Sequence, residues 1–234
     1  MIEEKQKELE EILLMPIEKK KGISGFYIEN GTIYTSQKYK GQFDYDMSNV
    51  AVVFYSILYS LNPDEIFNND EFKGDTMNSS LKYYKSSLEK KNMWNKQRHC
   101  LANFWILPKD IGRTVKGLTS EQKKYCKHSK ESKLHDYMDN FLSFMPNNLG
   151  YYFSNHKEYF DKLSIHKDNF LEDMSSVHYL EDGYIIQNRV LKIDKNIKDG
   201  VYDDWNNRLN QRAHLISHSD KWKELYDALT KYKN

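Results

Sequence analysis

Two apolar runs set the frame for this chain. Residues 47–61 read Met-Ser-Asn-Val-Ala-Val-Val-Phe-Tyr-Ser-Ile-Leu-Tyr-Ser-Leu, and residues 99–108 read His-Cys-Leu-Ala-Asn-Phe-Trp-Ile-Leu-Pro. The remainder is rich in Lys, Asn and Tyr, so both runs belong in the core, where burying apolar surface is favourable. Within the second run, Leu101, Phe104 and Ile106 are expected to be buried whatever the chain does. A length of 234 residues suffices for one large domain with a core that needs no staples. With 18 tyrosines, that core should be aromatic-heavy, each ring packing while its hydroxyl seeks a partner.

Local signals fill in the elements. Residues 3–14 alternate Glu and Lys around Leu9, Ile12 and Leu13, an amphipathic helix that stops before Pro16. Asn30-Gly31 between Phe26-Tyr27-Ile28 and Thr32-Ile33-Tyr34 predicts a hairpin with a type I′ turn. Residues 47–61 suit a buried helix capped near Ser48 and ended before Asn62-Pro63. Asp75 or Thr76 is placed to cap a helix through about Lys90, and 97–107 fits helix or strand, ended by Pro108. Helices are expected over 134–145, 151–163, 168–180, 202–218 and 220–232, with Ser219-Asp220 as a cap. Asp182-Gly183 reads as a turn before an alternating stretch over 184–193. The expected fold is mainly α (α+β): one helical domain over residues 1–234 with one or two small β-hairpins. A flexible Lys-rich loop is expected at about 115–133.

Charge and cysteine usage narrow the function classes. A formal net charge of +1, from 35 basic and 34 acidic residues, excludes a polybasic arm or polyacidic mimic as a whole-chain property, but not a local basic face. Two cysteines, Cys100 and Cys126, without a CxxC pair fit a reduced, cytoplasmic setting. The Glu/Lys-rich start carries no apolar signal-peptide core, and no run of 18 apolar residues predicts a membrane span.

Motifs for chemistry are sparse. There is no HExxH, GxSxG, P-loop or GxGxxG, so no cofactor or metal is expected. His214 and His218 share a helix face at a spacing that can hold a metal, but no third ligand is identifiable, and paired surface histidines are the plainer reading. Cys100, in an apolar run, reads as a buried and inert thiol. Arg208 precedes His214 by six residues and Arg212 precedes His218 by six. A histidine can act as acid or base while an arginine holds a phosphate. Against this stands a plain charged helix face. Arg98, Lys109, Arg113 and Lys116 around the second apolar run could contact nucleic acid, or form a solvated face.

Three resemblances bear on these residues. The Arg/His spacing is similar to that of the HEPN ribonucleases, all-helical toxins of bacterial defence that act on RNA at a dimer interface. Their polar residue after the arginine is replaced here by Leu209 and Ala213. His99 to Pro108, together with Trp205 to Ile216 and Trp222, resembles two segments of the C-terminal domain of GmrSD-type restriction nucleases. That likeness implies a His-metal-finger (HNH) ancestry, in which a strand-borne histidine activates water and a metal holds the phosphate. The family's upstream (D/E)-H-(I/L)-x-P motif has no counterpart, since no histidine precedes His99. Gly74 to Ser79, the Leu-Ala-Asn-Phe-Trp stretch with Ile111-Gly112-Arg113 after it, and Arg212 with Leu215-Ile216 also resemble an uncharacterised family of mostly Firmicute bacterial proteins.

The expectation is therefore a nucleic-acid-binding protein of defence or mobile-element type, descended from an HNH-like nuclease with a degenerate catalytic centre. Two alternatives stand beside it: a metal-independent HEPN-like ribonuclease toxin, or a non-catalytic protein-binding factor such as a phage inhibitor of host defence. The candidate catalytic residues are His99, Arg208, Arg212, His214 and His218. The partners considered are nucleic acid, another protein, or a second copy in a homodimer, and no membrane.

Overall fold

Leu9, Ile12 and Leu13 recur at helical spacing, and they form the buried face of α1 (Ile2–Leu14). The computed structural model describes residues 1–37, 43–63, 66, 72–76, 88–108, 149–180 and 200–233. Asn30 and Gly31 both adopt left-handed backbone, with φ of 50° and 72°, so the Asn-Gly turn joins β2 (Phe26–Glu29) to β3 (Thr32–Thr35) as predicted. A strand that the sequence does not announce, β1 (Ile17–Lys19), pairs in parallel with β3, with Ile17 opposite Ile33. The sheet order is β1-β3-β2. Three residues carry too little periodicity to read as a strand, and the pairing arises because the chain leaves α1 beside the hairpin.

The first apolar run forms α2 (Asn49–Leu58), where the Ser48 hydroxyl accepts a hydrogen bond from the Ala51 amide. That satisfies one orphan donor of the first turn. The second run makes a 3₁₀ turn at Leu101–Asn103 and then β5 (Phe104–Pro108). Its partner is β4 (Phe72–Thr76), antiparallel, with Asp75 opposite Trp105 and Thr76 opposite Phe104. Asp75 and Thr76 are thus strand residues, and the start of the helix expected after them lies outside the described residues. The next described helix, α3, spans Leu88–Gln97 and runs past Lys90.

Where one helix is predicted over 151–163, there are two: α4 (Leu149–Asn155) and α5 (Lys157–Lys162), interrupted at His156 with φ −129° and ψ 40°. α6 (Phe170–His178) ends on Tyr179 in left-handed conformation. After it come α7 (Gly200–Ser217) and α8 (Trp222–Thr230). The Ser219 hydroxyl accepts from the Lys221 amide in the turn between them. The expectations for 115–133, 134–145 and 182–193 lie outside the described residues.

The architecture is mainly α, with two small sheets among the described residues. α1 packs on α7 and α8, and α2 packs on α8 and β5. One hydrophobic cluster runs from Leu9 through Phe54, Tyr55 and Phe104 to Leu229. Leu101, Phe104 and Ile106 are fully buried, as predicted. No described helix is long and apolar enough to cross a membrane.

Candidate functional site

The sequence singles out the two Arg/His pairs of α7, and helical geometry decides how each is disposed. Residues six apart on a helix of 3.6 residues per turn point about 120° apart, whereas residues four apart share a face. Arg208 and Arg212 are buried on the inward face, while His214 and His218 are exposed on the outward one. Neither pair therefore places an imidazole and a guanidinium on a common surface of this chain. The RNA-cleaving layout expected from the spacing is not assembled, because the core takes the arginines.

Arg212 binds the two apolar centres of the fold together. Its Nη1 donates to the carbonyls of Ala102 (2.6 Å) and Phe104 (2.8 Å), its Nε to the carbonyl of His178 (2.9 Å), and its Nη2 to the Tyr59 hydroxyl (3.3 Å). The guanidinium carbon lies 3.9 Å from the Trp105 ring centroid, a cation–π contact. The segments 99–108 and 205–216 are thus joined in space through this side chain. It supplies donors to the carbonyls of a 3₁₀ turn and a strand start.

The network continues through buried His178. Tyr159 donates its hydroxyl to the Ile106 carbonyl (3.0 Å), so its oxygen accepts from His178 Nε2 (3.2 Å). His178 Nδ1 then accepts from Tyr59 (2.9 Å), whose oxygen in turn accepts from Arg212. Every donor points the same way, from the guanidinium to the Ile106 carbonyl. Burial, with Arg212 nearby, holds His178 well below its usual pKa, and burial raises Tyr59 to about 12 and Tyr159 well above 10. The imidazole is neutral at pH 7 and sealed from solvent, which suits a core-locking role. Cys100 is buried and pushed up to about 12 by burial, so its thiol is inert, as expected from its setting.

On the outward face of α7 the histidines meet a residue that carries no signal in the sequence. Glu10, on α1, places Oε1 2.8 Å from His214 Nδ1 and 3.7 Å from His218 Nδ1. The two imidazole centroids are 4.0 Å apart. Glu10 lies 204 residues before His214 in the chain, so no spacing rule could have found it.

The second candidate region precedes β5. His99 lies in the bend after α3 and not on a strand, and its ring stacks on Tyr45 with centroids 4.0 Å apart and planes within 18°. Burial, aided by the Arg98 charge, lowers its pKa to about 4, so it is a weak base for activating water. Neither His99 Nδ1 nor Arg98 Nε has a hydrogen-bond partner among the described residues. Phe43 meets Tyr45 edge-on at 5.0 Å, and the Lys19 ammonium sits 5.0 Å over the Phe43 ring. Phe43, Tyr45, Arg98 and His99 are all partly exposed. The other predicted nucleic-acid contacts, Lys109, Arg113 and Lys116, lie outside the described residues.

No family model, curated protein or solved structure matches the chain. Functional inference therefore rests on these two surfaces and on the buried network.

Proposed function

We propose that this chain is a nucleic-acid-binding protein that engages single strands through the surface in front of β5. The carrying observation is the row Phe43, Tyr45 and His99, three adjoining rings flanked by the cations of Lys19 and Arg98. Part-exposed rings give bases a stacking surface, and interleaved cations hold the phosphates on either side. The part-exposed guanidinium of Arg98 lies close enough to Tyr45 for their charges to interact, and a guanidinium is suited to pairing with phosphate oxygens. Lys109, Arg113 and Lys116 follow β5 in sequence and would extend the basic character past the strand.

The reading accords with a defence or mobile-element protein of HNH-like ancestry that binds without cutting. No histidine precedes His99, and His99 itself is neutral and lies off the strand. The test is fluorescence polarisation with labelled single-stranded RNA, single-stranded DNA and duplex DNA across a salt series. Salt-sensitive binding to single strands is expected, weakened about tenfold by Tyr45→Ala and by Arg98→Gln. Undetectable binding at low salt, or binding that ignores both substitutions, would overturn the proposal and turn the search to protein partners. Parallel incubation with Mg²⁺ and with EDTA is expected to leave the nucleic acid intact.

A further inference from the structure

We propose that Glu10, His214 and His218 form a binding site for a divalent transition metal, with Zn²⁺ the natural occupant. This stands apart from the nucleic-acid reading and shares no residue with it.

Three donors of the right kind converge. Among the described residues, these three are the group of His, Cys, Asp or Glu whose ligand atoms gather closely enough for one ion, all within 4.8 Å of one another. Zinc binds imidazole nitrogen and carboxylate oxygen at about 2.0–2.2 Å, so neighbouring ligands in a tetrahedral site stand about 3.3–3.6 Å apart. Glu10 Oε1 is 2.8 Å from one imidazole nitrogen and 3.7 Å from the other, which brackets that range.

The site is also built on rigid supports. His214 lies in the last turn of an 18-residue helix and His218 directly follows its end, its amide still bonded to the His214 carbonyl at 3.1 Å, so their rings share one face. Glu10 lies on α1 between Leu9 and Ile12, which have no exposure at all, so the carboxylate's backbone is fixed against α7 by the core. A supporting donor is in place as well: the Ser217 hydroxyl donates to Glu10 Oε1 at 3.0 Å and also lies 2.9 Å from His218 Nδ1. Such outer contacts orient ligands in metal sites. At present His218 Nδ1 is 2.9 Å from the His214 carbonyl, and the His214–Glu10 pair is a hydrogen bond. Metal binding replaces both: each imidazole coordinates through an unprotonated ring nitrogen, with its ring proton on the other nitrogen.

Two imidazoles and one carboxylate favour zinc, cobalt or nickel over magnesium or calcium, which prefer oxygen-only sets. Three protein ligands leave at least one position for water, on a side where His214 and His218 are solvent-exposed. The ion would tie α1 to α7 across the molecular surface.

The experiment uses the full chain without a polyhistidine tag, stripped of metal. Zn²⁺ is titrated calorimetrically, and Co²⁺ is followed by its visible absorption. One equivalent should bind saturably, raise the urea midpoint, and give a Co²⁺ spectrum of nitrogen and oxygen ligation without a thiolate charge-transfer band. Glu10→Gln should weaken binding about tenfold or more, and the His214→Ala/His218→Ala double variant should abolish both binding and the urea shift. Absence of saturable binding to the wild type would overturn the proposal. So would equal binding by the double variant, or a thiolate band pointing to Cys100 or Cys126.

Discussion

The inward and outward faces of α7 carry the cations and imidazoles of one motif, yet physics treats them oppositely. Arg212 is walled into the core and gives its donors to backbone carbonyls there. His214, one and a half turns from Arg208 and half a turn from Arg212, is 59% exposed at its side chain and meets a carboxylate in solvent. A six-residue spacing looks like a catalytic pair because spacing alone cannot say which residue faces the core. The comparison shows that a long cation with several donors is recruited inward when nearby carbonyls lack partners. An imidazole half a turn further on is left to whatever approaches from outside.

The sharpest way to break this contrast is to remove the inward member. Arg212→Met keeps much of the volume but strands the carbonyls of Ala102, Phe104 and His178, each at about 1–3 kcal/mol. A total loss of about 3–5 kcal/mol is expected in urea denaturation. A loss under about 1 kcal/mol would mean the clamp is dispensable.

Acid should act next. His99 and His178 both have folded pKa values depressed below the unfolded value of about 6.5, so the unfolded chain takes up protons first as pH falls. The stability they contribute is whole above pH 6.5 and drains away as pH drops toward their folded values. For His99, with a folded value of about 4, the loss is on the order of 3 kcal/mol by pH 4. A His99→Gln variant should show a flatter stability profile across that window than the wild type. Profiles of equal slope would sink the assignment.

Tyr159→Phe removes one hydroxyl from the same buried chain, unpairing the Ile106 carbonyl and His178 Nε2. About 1–2 kcal/mol should be lost, with the circular dichroism of the fold unchanged. At the opposite end of the scale, the His214→Ala/His218→Ala double variant should shift metal-free stability by no more than about 0.5 kcal/mol, since an exposed pair with Glu10 contributes little. A large effect without metal would erase the distinction between the two faces.

The elements legible in the sequence are those specified within a few residues. The Leu9-Ile12-Leu13 stripe, the Asn30-Gly31 turn and the Ser48 cap each act locally, and each is found where expected. The pairings were not legible. Nothing in Gly74-Asp75-Thr76 announces that Ile106, Trp105 and Phe104 will lie opposite, because a non-local ladder leaves no periodicity in either strand. Likewise the three-residue β1 is set by its pairing with β3 and not by propensity. The helix that carries both arginines and His214, with His218 just past its end, could be read from its own residues. Their division between core and solvent could not, because it depends on partners near residues 10, 59, 102 and 178.

The docking of α1 has a temporal consequence. Its apolar face is closed by α7 and α8, and Glu8 receives the Tyr226 hydroxyl at 2.7 Å along with the Lys233 ammonium. The Ile28 amide likewise donates to the Tyr232 carbonyl at 2.9 Å. The residues of α1 are therefore translated long before the partners that cover them. During synthesis, Leu9, Ile12 and Leu13 must wait with their surface uncovered, the circumstance in which nascent chains engage holdases. The core of this molecule can close only after α8 has cleared the ribosome.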